Sequence, residues 1–362
     1  MECIIAGGGI SGLLSARELV AAGWKVKVVE RNVAGTEASW AGGGILSPLY
    51  PWRQPLAVQR MSRWSQRFYP DLAQSLKNHT GIDPQWNRCG LLWLDLPDLE
   101  TALDWCRRNG IGCQIPREEE IEALQPGLHV LRGGRHLWIE GIAQIRNPRL
   151  LKALRRELAA NGVEMLEHRA VLDWRIQGER ITAMVTSQGN LQGDSFLIAA
   201  GAWSERITPQ GYWRPQVRPV KGQMLLFKAE PGVLTTMVQR GEHYLIPRMD
   251  GRILVGSTVE EADFDKRPTK AAYEKLYRFA VETLPRLADY PLELHWAGMR
   301  PAAPEGVPYI GPHPKLKNLY YDCGHFRNGV VMAPAAARLL ADLILVRNPI
   351  LDPEPYLPRQ RR

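Results

Sequence analysis

Residues 3–30 read CIIAGGGISGLLSARELVAAGWKVKVVE. A short apolar run from Cys3 to Ala6 meets the turn Gly7-Gly8-Gly9-Ile10-Ser11-Gly12; Leu13 to Ala22 then carries helical spacing, and Gly23 stops it. Lys25 to Val29 alternates and ends in Glu30, 18 positions beyond Gly12. The stretch predicts a strand, a tight turn, a helix and a second, parallel strand. The glycines meet different physical needs. Gly7 makes the turn, Gly9 lets a pyrophosphate approach the backbone, and Gly12 packs helix against strand. Ile10 and Ser11 open the helix, whose free amides and dipole favour an anion. Glu30 would accept hydrogen bonds from a ribose hydroxyl pair, with Arg31 beside it as a further cofactor contact. A glycine-rich turn in an unrelated α/β fold would lack the acid in register, so the reading is a dinucleotide site.

The loop that follows narrows the choice of dinucleotide. Glu37 to Pro48 reads EASWAGGGILSP, and so many small residues just after the ribose-binding acid let backbone approach something large and flat. Nicotinamide enzymes need no second loop there. The alternative is a flexible surface loop. Further on, Ser195 to Ser204 reads SFLIAAGAWS, a buried strand ending in a small-residue turn of Ala and Gly, as at the carboxyl edge of a parallel sheet where backbone meets a ligand.

With 362 residues the chain is long enough for about two domains, and 45% hydrophobic with 23% charged residues excludes disorder, collagen and coiled coil as its main theme. No run approaches the roughly 18 apolar residues of a membrane-spanning helix. The net charge of +8 comes from scattered basic residues, so no nucleic-acid footprint is expected, although the field could draw anionic small molecules. Cys3, Cys89, Cys106, Cys113 and Cys323 form neither a CxxC pair nor a dense framework, which points away from zinc and towards a reducing cytoplasm. No metal site is expected. The glycine turn begins at Gly7 and leaves no room for a secretory leader.

Helices are expected over 55–80, 99–109, 147–161, 269–284 and 331–346, and a strand over 86–96. Loose alternation over 129–147, short strands over 164–186, and a run of strands within 217–259 complete the pattern. The fold class is therefore α/β with α+β: a Rossmann-like dinucleotide-binding domain interleaved with a substrate domain on a mostly antiparallel sheet. Its segments would be 1–85, 147–215 and 297–362 for the cofactor, and 86–146 and 216–296 for the substrate.

Six motifs in order carry a family resemblance: GGGISG with Glu30, WAGGGILSP at 40–48, LIAAGAWS at 197–204, HYLIPR at 243–248, GMRPAAPEG at 298–306 and GHFRNG at 324–329. Together they resemble the D-amino-acid-oxidase-type flavoproteins, and among these the glycine oxidase branch, over nearly the whole chain. The resemblance implies FAD and oxidation of an amine next to a carboxylate. It maps Gly43, Gly44 and Ile45 near the flavin, Val171 near the adenine, Gly201 on the small turn, and His325, Arg327, Asn328 and Gly329 on the loop facing the isoalloxazine. Amides and a helix dipole there would favour a reduced flavin.

The same resemblance places Arg300, Arg327 and Tyr244 on the substrate carboxylate, because a guanidinium grips a carboxylate through two parallel hydrogen bonds. Arg300 and Arg327 fall in what read as two glycine-rich turns. Taken singly, they read equally well as surface or domain-bridging arginines, and Tyr244 as a core aromatic. Val259 stands where the branch has a larger side chain over the substrate. Ala302 and Ala303 follow Pro301 where covalent relatives carry a cysteine, so FAD is expected to be noncovalent. No general base is assigned, and His325 reads as an organiser of its loop.

The implied reaction converts glycine, sarcosine or a D-amino acid to an imine and then to a 2-oxo acid and ammonia, with O2 reduced to hydrogen peroxide. The resemblance also implies a homo-oligomer and service in thiamine biosynthesis. Rival readings are a dehydrogenase delivering electrons to a quinone, a flavin enzyme of tRNA modification, and a flavin binder without turnover.

Overall fold

The strand Glu2–Ala6 lies inside a six-stranded sheet whose order is Tyr309–Pro312, Leu319–Cys323, Ser195–Ile198, Glu2–Ala6, Lys25–Val29, Glu164–Leu166. Every neighbouring pair is parallel except the first. Side chains on a strand point alternately to its two faces. Cys3 and Ile5 accordingly join one core, with Leu13, Met61, Leu150 and Met332 of four helices. Ile4 and Ala6 join another, against Trp174, Ile181 and Met184 of a small three-stranded antiparallel sheet. The computed structural model describes residues 1–359, so the last three positions of the expected segment 297–362 lie outside the described residues.

The four helices are Ile10–Ala21, Leu56–Thr80, Asn147–Ala160 and Gly329–Ile344. The last contains Pro334, which has no N–H to give to the carbonyl four residues back. That carbonyl, Val330 O, is satisfied by the hydroxyl of Tyr69, a fully buried residue of Leu56–Thr80. Ser65 Oγ binds the same helix twice, donating to Met332 O at 3.3 Å and accepting from Ala335 N at 3.0 Å. The proline thus turns a helix defect into an interhelical anchor, of about 1 kcal/mol per hydrogen bond.

The second sheet has seven strands in the order Leu292–Ala302, Arg218–Phe227, Ile253–Gly256, His243–Pro247, Met237–Arg240, Leu91–Leu94, Leu137–Ile139. It is antiparallel except where Met237–Arg240 meets Leu91–Leu94. The α/β with α+β architecture expected from the sequence is therefore present. Among the described residues no helix is long and apolar enough to cross a membrane.

Several local expectations differ from the structure. Arg300 lies not in a turn but in the strand Leu292–Ala302, which runs through the expected break at 296/297; Met299 and Arg300 pair with Lys221 and Val220. Pro301 is compatible with that strand because the strand is the sheet's edge, where a missing N–H costs no ladder bond. The strand expected over 86–96 shrinks to Leu91–Leu94, since Gly90 and Asp95 take left-handed φ of 70° and 53° on either side of it. A helix over Glu118–Leu124 was not expected. Its start is marked by Glu120, whose side chain accepts from the Arg117 amide at 2.7 Å.

Candidate active site

Because the inner strands of the first sheet run parallel, their carboxyl ends meet at one edge, which brings together Gly7, Glu30, the turn Ala199–Gly201 and His325. A cavity of about 360 Å³ opens there. Gly7, Gly9, Ile10, Ser11, Glu30, Arg31, Val171, Gly201, His325, Arg327 and Gly329 all line it. A smaller chamber of about 80 Å³ lies between the two sheets, lined by Gly43, Gly44, Ile45, Tyr244, Ser257, Arg300, Arg327 and Asn328 among others. Ala38, Gly42, Arg300, Arg327 and Val330 line both, so the two spaces adjoin across these residues.

The glycine turn is tied down from two sides. Glu30 Oε2 accepts from Gly8 N and Oε1 from Asn32 N, both at 3.0 Å. Ser39 Oγ accepts from Ile10 N at 2.9 Å, linking the small-residue loop to the helix start. Gly12 does not line the cavity; it sits directly behind Gly7. The helix Gly329–Ile344 brings a second N-terminus to the same space through the turn Phe326–Asn328. Two helix N-termini and a glycine cradle facing one elongated cavity suit an anionic dinucleotide.

Arg31 does not reach freely into this space, because its guanidinium lies 3.6 Å over the Trp203 ring and near Glu37 Oε1 at 3.4 Å. His325 Nε2 is 2.7 Å from Asp322 Oδ1, and both side chains are buried. This pair holds the loop at the start of the last helix.

Arg300 dominates the smaller chamber. Its Nη1 donates to Thr258 O at 2.9 Å and more weakly to Lys221 O at 3.4 Å, and its Nη2 donates to Ser257 Oγ at 2.7 Å. All three acceptors are neutral. Burial pushes this guanidinium down to about 10; Tyr244 opposes the shift and Arg327 adds to it. It remains a cation at neutral pH. A part-buried cation with no carboxylate in ion-pair contact among the described residues is a strong request for an anion. The backbone makes room for it: a Cβ on Gly222 would come within 2.1 Å of Arg300 Nη1.

Arg327 and Tyr244 stand in the same chamber, but Val259 does not. The strand ends at Gly256, so alternation no longer governs residues 257–259, and Val259 is 49% exposed and lines neither space. In its place the chain presents Ser257. Sequence reasoning also passed over Arg248, the last residue of the HYLIPR motif. This buried arginine donates through Nη2 to Gly43 O at 2.8 Å and through Nη1 to Gln144 Oε1 at 2.5 Å, and burial pushes it down to about 10. It positions the Gly42–Ile45 backbone. The signal was an arginine closing an apolar strand.

The sequence as a whole matches the DAO family, FAD dependent oxidoreductase, over residues 2–343. The chain belongs to this family of FAD-dependent oxidoreductases. It is thus an enzyme that works with FAD. The flavoprotein is 49% identical to a glycine oxidase of Pseudomonas aeruginosa over 99% of this chain and 98% of that one. It is 33% identical to a bifunctional ThiO/ThiG protein of Synechocystis, covering 95% of this chain and 51% of that longer one. Its fold superposes on the crystal structure of glycine oxidase from Geobacillus kaustophilus with a TM-score of 0.94 at 27% identity, covering 99% and 98% of the two chains.

Replacing Arg248 by Met in this flavoprotein removes the partner of Gly43 O and Gln144 Oε1 while keeping apolar volume. The expected loss is about 1–3 kcal/mol of stability, with weaker FAD binding, because two buried acceptors lose their donor. Denaturant unfolding and an FAD titration check both halves; unchanged flavin affinity would separate Arg248 from the site.

Proposed function

We propose that this flavoprotein oxidises a small α-amino acid, glycine first among them, with the substrate carboxylate on Arg300. The observation that carries the reading is the part-buried Arg300 guanidinium, whose hydrogen-bond partners among the described residues are all neutral, at the junction of a dinucleotide cavity and a small chamber. Gly7, Gly9 and the opening amide at Ser11 hold the pyrophosphate beside Ile10, whose own amide is given to Ser39 Oγ, and Glu30 holds the ribose. Val171 and Gly201 border the adenine half, while Gly43, Gly44, Ile45 and the loop His325–Gly329 border the flavin. FAD is held without a covalent bond.

FAD held along this cavity would supply the two-electron acceptor for oxidation of the amine carbon, with O2 as the final oxidant and hydrogen peroxide as its product. The chain's own part is to bind and align. Arg300 and Tyr244 fix the carboxylate, and the neutral acceptors Ser257 Oγ and Thr258 O keep the guanidinium pointing into the chamber. Among the described residues that line the chamber there is no carboxylate and no histidine. The substrate amine therefore sheds its proton to solvent, and rate enhancement rests on orientation and fixed charge. The imine product hydrolyses to a 2-oxo acid and ammonia. Likeness to glycine oxidase and to ThiO/ThiG supports glycine over larger substrates and a role in thiamine biosynthesis.

Anaerobic mixing of the purified yellow protein with glycine, sarcosine and D-alanine tests the reading. Glycine should bleach the visible flavin band and admission of air should restore it with release of peroxide. A flavin left oxidised by all three amines overturns the assignment. Bleaching without peroxide in air would favour the dehydrogenase reading.

A further inference from the structure

A hairpin joins Met237–Arg240 to His243–Pro247, and its tip carries Glu242 to the rim of the smaller chamber. The tip is anchored: Gly241 O accepts from the buried Tyr50 hydroxyl at 2.5 Å and from Gln239 Nε2 at 3.3 Å. Glu242 Oε2 accepts from Arg327 Nη1 at 2.8 Å, with the glutamate side chain 60% exposed and the arginine 21%. Arg327 Nη2, in contrast, is buried and has no hydrogen-bond partner among the described residues. Arg53, which also feels the charge of Glu242, is engaged by both oxygens of Asp98 at 2.7 Å.

The charges therefore fall into an ordered set. Arg300 and Arg327 contribute two positive charges to one chamber, and Glu242 cancels one of them from outside. What remains is matched by a single carboxylate, which Arg300 holds under the function proposed above. A substrate bringing a second acid group towards Arg327 would have to share that guanidinium with Glu242 and would meet its negative charge.

We propose that Glu242 is a specificity-determining residue that restricts the site to amino acids with one acid group, by occupying the arginine that would otherwise take a second. Discrimination of this kind comes from a repulsive element set against the wrong ligand as much as from contacts with the right one. The substrate class accepted is a monocarboxylic amine; the class rejected is a dicarboxylic amine such as iminodiacetate, which is glycine with a second carboxymethyl group on nitrogen. This inference rests on the placement of the first carboxylate at Arg300.

The test compares iminodiacetate with acetate as competitors of glycine oxidation in the holoenzyme and in Glu242→Gln. The inhibition constant of iminodiacetate, relative to that of acetate, should tighten roughly tenfold in the variant, and the gain should shrink as salt is raised because the rim is open to solvent. In Glu242→Gln combined with Arg327→Gln the gain should vanish. A ratio within twofold of the parent's, or a gain that persists without Arg327, overturns the proposal. Failure of the underlying reading looks different: Arg300→Ala would then leave acetate and glycine affinities untouched, whatever Glu242 does.

Discussion

Arg300→Ala should lower kcat/KM for glycine by roughly 10²–10⁴, chiefly through KM, while the protein stays yellow. The magnitude follows from truncating one partner of a desolvated, hydrogen-bonded charge pair, which costs about 3–5 kcal/mol. Stability should behave in the opposite way. The free enzyme holds this cation among neutral acceptors, Ser257 Oγ, Thr258 O and Lys221 O; its removal relieves a desolvation cost, and alanine leaves space open to the chamber through which water can satisfy those acceptors, as it cannot where methionine fills the enclosed site of Arg248. The melting temperature is therefore expected to stay level or rise. Arg300→Lys should recover little activity, since an ammonium cannot bind Ser257 and Thr258 and grip a carboxylate in one plane. Steady-state kinetics beside a thermal melt decide the matter. Activity and stability falling together would make Arg300 a structural residue, and an unchanged KM would remove the carboxylate clamp.

This opposition between function and stability explains what could and could not be read from a single sequence. The cofactor turn is legible because each of its residues solves a local problem: a strand must stop, a helix must start, and an acid must stand at the end of the next strand. Gly7, Gly9, Gly12 and Glu30 lie within one βαβ unit, and the structure confirms that unit. Arg300 was legible as a candidate, but its surroundings were not. Thr258 lies 42 positions away and Lys221 79 positions away, and only the pairing of Leu292–Ala302 with Arg218–Phe227 brings them together. Val259 failed for the same reason in reverse, because no sequence pattern tells where the strand Ile253–Gly256 lets go and hands the chamber to Ser257. Glu242 and Arg327 are 85 positions apart, so the ion pair on which charge selection rests has no local signature at all.

The glycine turn offers a sharper experiment, because its glycines are there for different reasons. At Gly12 a Cβ would stand 2.0 Å from Gly7 O, backbone against backbone, with no side chain able to move aside. At Gly7 the φ of +114° and a Cβ 2.3 Å from Ala199 O forbid any other residue. Gly12→Ala should therefore drive the helix Ile10–Ala21 off its strand at a cost comparable with the roughly 5–15 kcal/mol that holds a domain folded, and yield no soluble holoprotein. Gly9 is otherwise placed. Its φ of −76° suits any residue, and an added Cβ would find only Ser39 Oγ at 3.3 Å, the end of a small side chain. The methyl group of Gly9→Ala would project into the cavity that Gly9 lines. This variant should fold with a normal melting curve as the apoprotein yet bind FAD about ten- to a hundred-fold more weakly, the effect of about 1–3 kcal/mol of overpacking at the pyrophosphate. Circular dichroism on both variants, with an FAD titration of the second, reads the two effects apart. Full flavin affinity in Gly9→Ala would mean that the pyrophosphate crosses elsewhere, and the helix N-terminus would lose its part in holding the cofactor.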